Sequence, residues 1–178
     1  MRLEQALAIA NRIKAQLEPH CERIEIAGSI RREKPEVGDI EIVAIPKPYD
    51  VGLFESGIAT VVNRWPKVKG ELPCKYTQRI VEGVTLDLFF AVPENWGLIY
   101  AIRTGSADYS HHVLAIGWVR KGYYSDGGML HDRKGREAHI REELDLFGLI
   151  GIPWVEPRDR TGPLAGERAD DVLREAGL

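Results

Sequence analysis

Apolar side chains along the first stretch of the chain fall at Leu3, Ala6, Leu7, Ile9, Ala10, Ile13 and Leu17. Steps of three and four keep them on one helix face, which predicts an amphipathic helix over 2–18, stopped at Pro19. The period then changes to two. Arg23 to Ala27 alternates as a short strand and breaks at Gly28-Ser29. Asp39-Ile40-Glu41-Ile42-Val43-Ala44-Ile45 alternates again and ends at Pro46, with its apolar content rising until both faces read as buried. Residues 51–64 return to helical spacing. Three more strands are expected over 67–69, 75–81 and 84–92, the last two joined by Glu82-Gly83. Helices are expected over 95–103 and 107–121, a small hairpin over 123–131 through Asp126-Gly127-Gly128, and a short helix over 140–147. Pro153, Pro157 and Pro163 punctuate the tail. There is no internal repeat. The fold class expected is α/β (α+β): a mixed sheet with helices over 1–93, then a smaller and more helical lobe over 94–178, with the break at Val92-Pro93-Glu94.

The chemistry concentrates where strands meet turns. Ala27-Gly28-Ser29-Ile30-Arg31-Arg32 takes a strand into a glycine and the start of a short helix. Gly28 lets the backbone approach a ligand closely, Ser29 offers a hydroxyl donor, and Arg32 offers a fork of donors suited to phosphate. Gly38-Asp39-Ile40-Glu41 follows, and strand geometry puts Asp39 and Glu41 on the same face. Two adjacent carboxylates repel unless a cation sits between them. A third acid, Asp87, lies in Thr85-Leu86-Asp87-Leu88-Phe89-Phe90, an apolar strand in which an uncompensated charge would be costly. A solvated strand face accounts for alternating acids at 39 and 41, but not for Asp87. If the two strands are neighbours, Asp39, Glu41 and Asp87 converge beside the phosphate cradle and can hold two Mg²⁺ ions, with Mn²⁺ as the alternative.

Composition sharpens this reading. The 178 residues are 44% hydrophobic and 29% charged, which excludes a disordered or collagenous chain. No apolar run approaches the roughly 20 residues of a membrane-spanning helix, so no membrane partner is expected. The formal charge of −3 argues at first against a nucleic-acid binder. It is unevenly spread: residues 142–178 hold nine acidic and four basic side chains, leaving the rest slightly basic. Cys21 and Cys74 form neither a disulfide framework nor a metal-ligand spacing, and no signal peptide precedes the first helix, so a cytoplasmic location is expected. His111 and His112 diverge on a helix and suit packing and solvent better than one metal. Lys67, Lys69, Lys75 and Arg79 suit a solvated face or, alternatively, a phosphate track. No serine or cysteine nucleophile signature is present.

Gly28-Ser29-x-Arg31-Arg32 followed by Gly38-Asp39-x-Glu41 resembles the signature of family X DNA polymerases, within the polymerase β-like nucleotidyltransferase superfamily. Leu98-Ile99-Tyr100 leading to Thr104-Gly105-Ser106, and Leu149 through Pro157 to Arg160, are similar to that family's later segments. The resemblance implies a nucleotidyltransferase palm and a nucleotide-selecting lobe, in a minimal member without the N-terminal lyase domain. It implies that Asp39 and Glu41 bind both metals and that Asp87 joins at the catalytic one. Ser29 and Arg32 would contact the triphosphate, beside Gly28 and Gly38. The Thr104-Gly105 backbone would lie along the incoming sugar, and Ser106 would begin the next helix. The implied reaction adds deoxynucleotides to a DNA primer 3′-hydroxyl with release of pyrophosphate, filling short gaps, as a monomer acting on a primer-template and a nucleoside triphosphate. Ile102-Arg103 stands where the family often has Tyr-Phe, which keeps a template-independent or RNA-directed nucleotidyltransferase as the alternative. A catalytically inactive nucleotide- or nucleic-acid-binding module is the other. Ser110 and Leu114 stand at the family's minor-groove positions, which implies less strict checking of the nascent base pair.

Overall fold

A computed structural model describes residues 1–48 and 57–162. The chain divides into two compact units, Met1–Val92 and Pro93–Leu178. Each has its own apolar cluster.

The first unit is built on a mixed five-stranded sheet. Helix α1 (Leu3–Leu17) leads through a 3₁₀ turn at Glu18–His20 into β1 (Cys21–Ile26). A single helical turn, α2 (Gly28–Arg31), separates β1 from β2 (Ile40–Pro46). Then come α3 (Ile58–Val62), β3 (Lys67–Lys69), β4 (Tyr76–Val81) and β5 (Val84–Phe90). The strand order is β1-β2-β5-β4-β3. Only β2 and β5 run parallel; the other neighbours are antiparallel.

Strand alternation sorts the sheet into two faces. Ile24, Ile40, Ile42, Ala44, Leu86, Leu88 and Val81 turn to one of them. There they join Ala6, Ala10, Ile13 and Leu17 of α1 and Ile58 and Val62 of α3 in one core. The helical period of α1 and the strand period of the sheet are thus satisfied by the same burial. The other face carries Glu41, Asp87 and Gln78. The β4–β5 connection is a two-residue turn in which Glu82 (φ 52°) and Gly83 (φ 78°) both take left-handed backbone, as a primed hairpin turn requires. Arg12 of α1 clamps the turn with a two-pronged ion pair to Glu82, 2.5 Å at its shorter contact.

The second unit begins with α4 (Trp96–Thr104), followed by one turn, α5 (Ala107–Tyr109). A π-helical segment over Ser110–Ala115 comes next, then α6 (Ile116–Arg120). Strands β6 (Tyr124–Asp126), β7 (Met129–His131) and β8 (Glu137–Ala138) form an antiparallel sheet, and α7 (Glu143–Ile150) closes the described helices. Leu98, Ala101, Tyr109, Val113, Leu114, Leu130, Leu146, Phe147 and Ile150 make its core. Behind it, Arg160 is fully buried. It pairs with Glu143 at 2.5 Å, donates to the Val155 carbonyl at 2.9 Å and lies over the Phe147 and Trp154 rings.

Most expected elements are present, with shifted ends. The strand expected from Asp39 starts at Ile40, and the helix expected over 140–147 runs from Glu143 to Ile150. The last helix starts late because Asp145 Oδ2 accepts the amides of Arg141 and Glu142, a cap the apolar period does not encode. The helix expected over 107–121 is interrupted by the π segment, and the hairpin over 123–131 gains a third strand at Glu137–Ala138. Only Ile58–Val62 of the helix expected over 51–64 can be reported, since 51–56 lie outside the described residues, as does the tail from Pro163. Among the described residues, no helix is long and apolar enough to cross a membrane.

Candidate active site

Parallel pairing of β2 with β5 sets Glu41 beside Asp87. Asp39 is two residues before Glu41, on the bend that enters β2, and so faces the same way. Its side chain lies within hydrogen-bonding reach of Asp87. Burial, then the Asp87 charge and the contact with it, push the Asp39 carboxyl above the ordinary range; its own backbone amide and Arg32 pull it partly back.

Asp87 is buried and held from the side. Tyr76 donates its hydroxyl to Asp87 Oδ1 at 2.6 Å, and Gln78 donates from Nε2 to the same oxygen at 2.8 Å. Antiparallel pairing places Gln78 directly opposite Asp87, and period two brings Tyr76 to the same face. Tyr76 also stacks on Phe89 with ring centroids 4.9 Å apart. These two residues complete the site but were not expected. Tyr76 and Gln78 alternate with Lys75, Thr77 and Arg79, and only the pairing register with Asp87 gives them a role.

Gly28 is required by its surroundings. Its φ is +61°, and a methyl group placed on it would overlap the Glu41 carboxylate, with Glu41 Cδ 2.5 Å and Glu41 Cβ 3.0 Å away. The Glu41 head group therefore lies against bare backbone. Ala27 N–H donates to the Glu41 carbonyl at 2.8 Å, which pins the β1–α2 turn to β2. The next residue, Ser29, has its Oγ buried with no hydrogen-bond partner. Arg32 lies close enough to Glu41 and Asp39 to feel both charges. Burial lowers its pKa and the two acids oppose that shift. Gly38 is different: it is exposed and has open space where a side chain would go, so no steric need for glycine exists there.

Asp39, Glu41, Asp87, Gly28, Ser29 and Arg32 therefore gather at one end of the β2–β5 pair. The oxygen-only donor set suits a hard divalent cation, and the Asp39–Asp87 approach is one that a cation would relieve. Among the described residues, no three histidine, cysteine, aspartate or glutamate side chains are already drawn together as a ligand group; the acids meet as the Asp39–Asp87 pair with Glu41 beside it.

Thr104, Gly105 and Ser106 belong to the second unit. Thr104 is fully buried at the end of α4. A side chain on Gly105 would lie 2.6 Å from Ser110 Oγ and 2.9 Å from the Tyr109 ring. Ser106 caps α5, accepting the Tyr109 amide at 3.1 Å, and its own amide donates to the Arg160 carbonyl at 2.9 Å. Ser110 Oγ donates to the Ile102 carbonyl at 2.7 Å and Leu114 is fully buried, so both serve their own unit. The sequence matches no protein-family model and no curated protein.

Proposed function

We propose that the chain is a metal-dependent nucleotidyltransferase whose first unit is the palm. It adds deoxynucleotides to a DNA primer 3′-hydroxyl and releases pyrophosphate, as a small family X DNA polymerase filling short gaps. The observation that carries this reading is the approach of Asp39, on the bend that enters β2, to Asp87 on β5, with Glu41 paired in register with Asp87 and Ser29 Oγ buried without a partner.

Asp39, Glu41 and Asp87 would hold two Mg²⁺ ions, which when bound lower the pKa of the attacking hydroxyl and neutralise charge on the leaving pyrophosphate. Ser29 donates its hydroxyl to a phosphate oxygen, the bond its buried Oγ lacks. Arg32 adds positive charge beside the triphosphate. Tyr76 and Gln78 hold Asp87 in one orientation, so little reorganisation remains at the moment of reaction.

Primer extension on gapped, recessed and single-stranded DNA, with dNTPs and NTPs and with Mg²⁺ or Mn²⁺, tests the reading. Asp39→Asn, Glu41→Gln and Asp87→Asn are expected to abolish addition while circular dichroism is unchanged. Near-normal extension by Asp87→Asn refutes the metal assignment. Nucleotide binding without turnover by the parent chain refutes the enzyme. Preference for single-stranded primers refutes gap filling.

A further inference from the structure

Alternation along β4 sends Tyr76 and Gln78 to the carboxylate face and Thr77 and Arg79 to the opposite one. Arg79 is only 3% exposed. Its Nε donates to Thr77 Oγ1 at 3.0 Å, Nη1 to the Trp65 carbonyl at 3.5 Å and Nη2 to the Gly70 carbonyl at 3.4 Å. All three acceptors are neutral, and the last two bonds are at the outer limit of length. Among the described residues no carboxylate comes within ion-pair distance of Arg79. A guanidinium has five N–H donors and cannot shed its proton. Buried cations are ordinarily paired; among the described residues Glu71 feels the Arg79 charge but makes its direct ion pair with Lys67.

Arg79 lines a pocket of about 450 Å³ with Asn63, Arg64, Trp65, Lys67 and Glu71. Three cations face one carboxylate, and that carboxylate already pairs with Lys67. Arg64 and Lys67 are exposed at the rim, while Arg79 forms the buried end.

We propose that this pocket binds a phosphate group, with Arg79 as its buried anchor and Arg64 and Lys67 as rim donors. Phosphate fits better than a carboxylate because it accepts from several donors at once, and the guanidinium fork grips two of its oxygens. The site is on the face of the sheet opposite Asp87, so it is separate from the carboxylate centre and does not rest on the nucleotidyltransferase reading. Free phosphate and the backbone of a nucleic acid share this chemistry. Glu71 is the resident anion that the ligand displaces from Lys67.

The test follows backbone amide signals of residues 63–71 and 79 in the full chain without divalent metal and at fixed ionic strength. Inorganic phosphate is titrated first, then a short single-stranded oligonucleotide. A saturable shift at these amides is expected. Arg64→Gln with Lys67→Gln, both surface changes, is expected to weaken it at least tenfold. Glu71→Gln is expected to tighten it severalfold, and Asp87→Asn to leave it unchanged. Saturation by phosphate but not by the oligonucleotide assigns the free anion; the reverse assigns the nucleic-acid backbone. Non-saturating shifts with both ligands, an unchanged response in the double variant, or weaker binding in Glu71→Gln overturns the proposal.

Discussion

Replacing Gly28 by alanine separates backbone strain from the placement of Glu41. At φ +61° a β-carbon costs about 1–2 kcal/mol through its clash with the following carbonyl. The second effect is the overlap with Glu41, whose Cδ is 2.5 Å and whose Cβ is 3.0 Å from the added methyl. Something must move. The backbone on either side is tied, by Ala27 N–H to the Glu41 carbonyl and by the pairing of Glu41 with Asp87. The carboxylate is the flexible end, so it swings away while the strand stays in place. The expected loss of stability is then only the conformational part, about 1–2 kcal/mol, or roughly 4–16 °C in midpoint for a unit of this size. Nucleotide addition, in contrast, is expected to fall as far as in Glu41→Ala, because the carboxylate has left its position. The check is a double-mutant cycle of Gly28→Ala and Glu41→Ala, with thermal unfolding and single-nucleotide gap filling as readouts. The activity losses should not add, since both changes remove one group. The Gly28→Ala stability cost should persist in the Glu41→Ala background. A Gly28→Ala protein with parental activity, or with a midpoint within 2 °C of the parent at this strained position, would sink the reasoning.

Two further changes probe other parts of the structure. Tyr76→Phe removes the 2.6 Å bond to Asp87 and leaves the stacking on Phe89; loss of a hydrogen bond to a charged group, about 1.5–3 kcal/mol, predicts a turnover roughly 10- to 100-fold lower with little change in fold. Equal turnover in the two proteins contradicts the positioning role. Tyr109 is buried with an Oη that has no partner, and burial pushes its pKa up to about 12. The folded state therefore holds its proton while the unfolded chain loses it, so this residue's contribution to stability falls as pH rises from about 10 to about 12. Tyr109→Phe should be neutral or stabilising by about 1 kcal/mol at neutral pH, since it deletes an unsatisfied hydroxyl, and should flatten the alkaline loss in urea unfolding. An unchanged alkaline slope contradicts the assignment.

The periodic parts of the chain were legible because one physical rule, burial of an apolar face, sets both sequence and structure. Ala6, Ala10, Ile13 and Leu17 read as a helix face and are that face. The Glu82-Gly83 turn was also legible, because only a few residue types accept its backbone. What failed to show were features that burial of an apolar face does not set. Tyr76 and Gln78 take their meaning from Asp87 across a strand pair, and nothing local marks them. The late start of α7 depends on Asp145 reaching back to the amides of Arg141 and Glu142. The π segment at Ser110–Ala115 has no signature in the apolar period.

Arg79 shows the same limit from the other side. In the sequence it is one of several cations on predicted strands, equivalent to Lys67, Lys69 and Lys75. Register sets Lys67 directly opposite Arg79, so both lie on the face of the sheet opposite Asp87. Lys67, on the edge strand β3, stays exposed, whereas Arg79, on the inner strand β4, is buried among neutral oxygens. The environment of a charged residue in an alternating strand therefore depends on its register and on the place of its strand in the sheet. At Asp87 that placement supplies hydrogen-bond donors and a neighbouring acid. At Arg79 it leaves a buried positive charge at the end of a polar pocket, and a mobile anion is the partner chemistry most able to reach it.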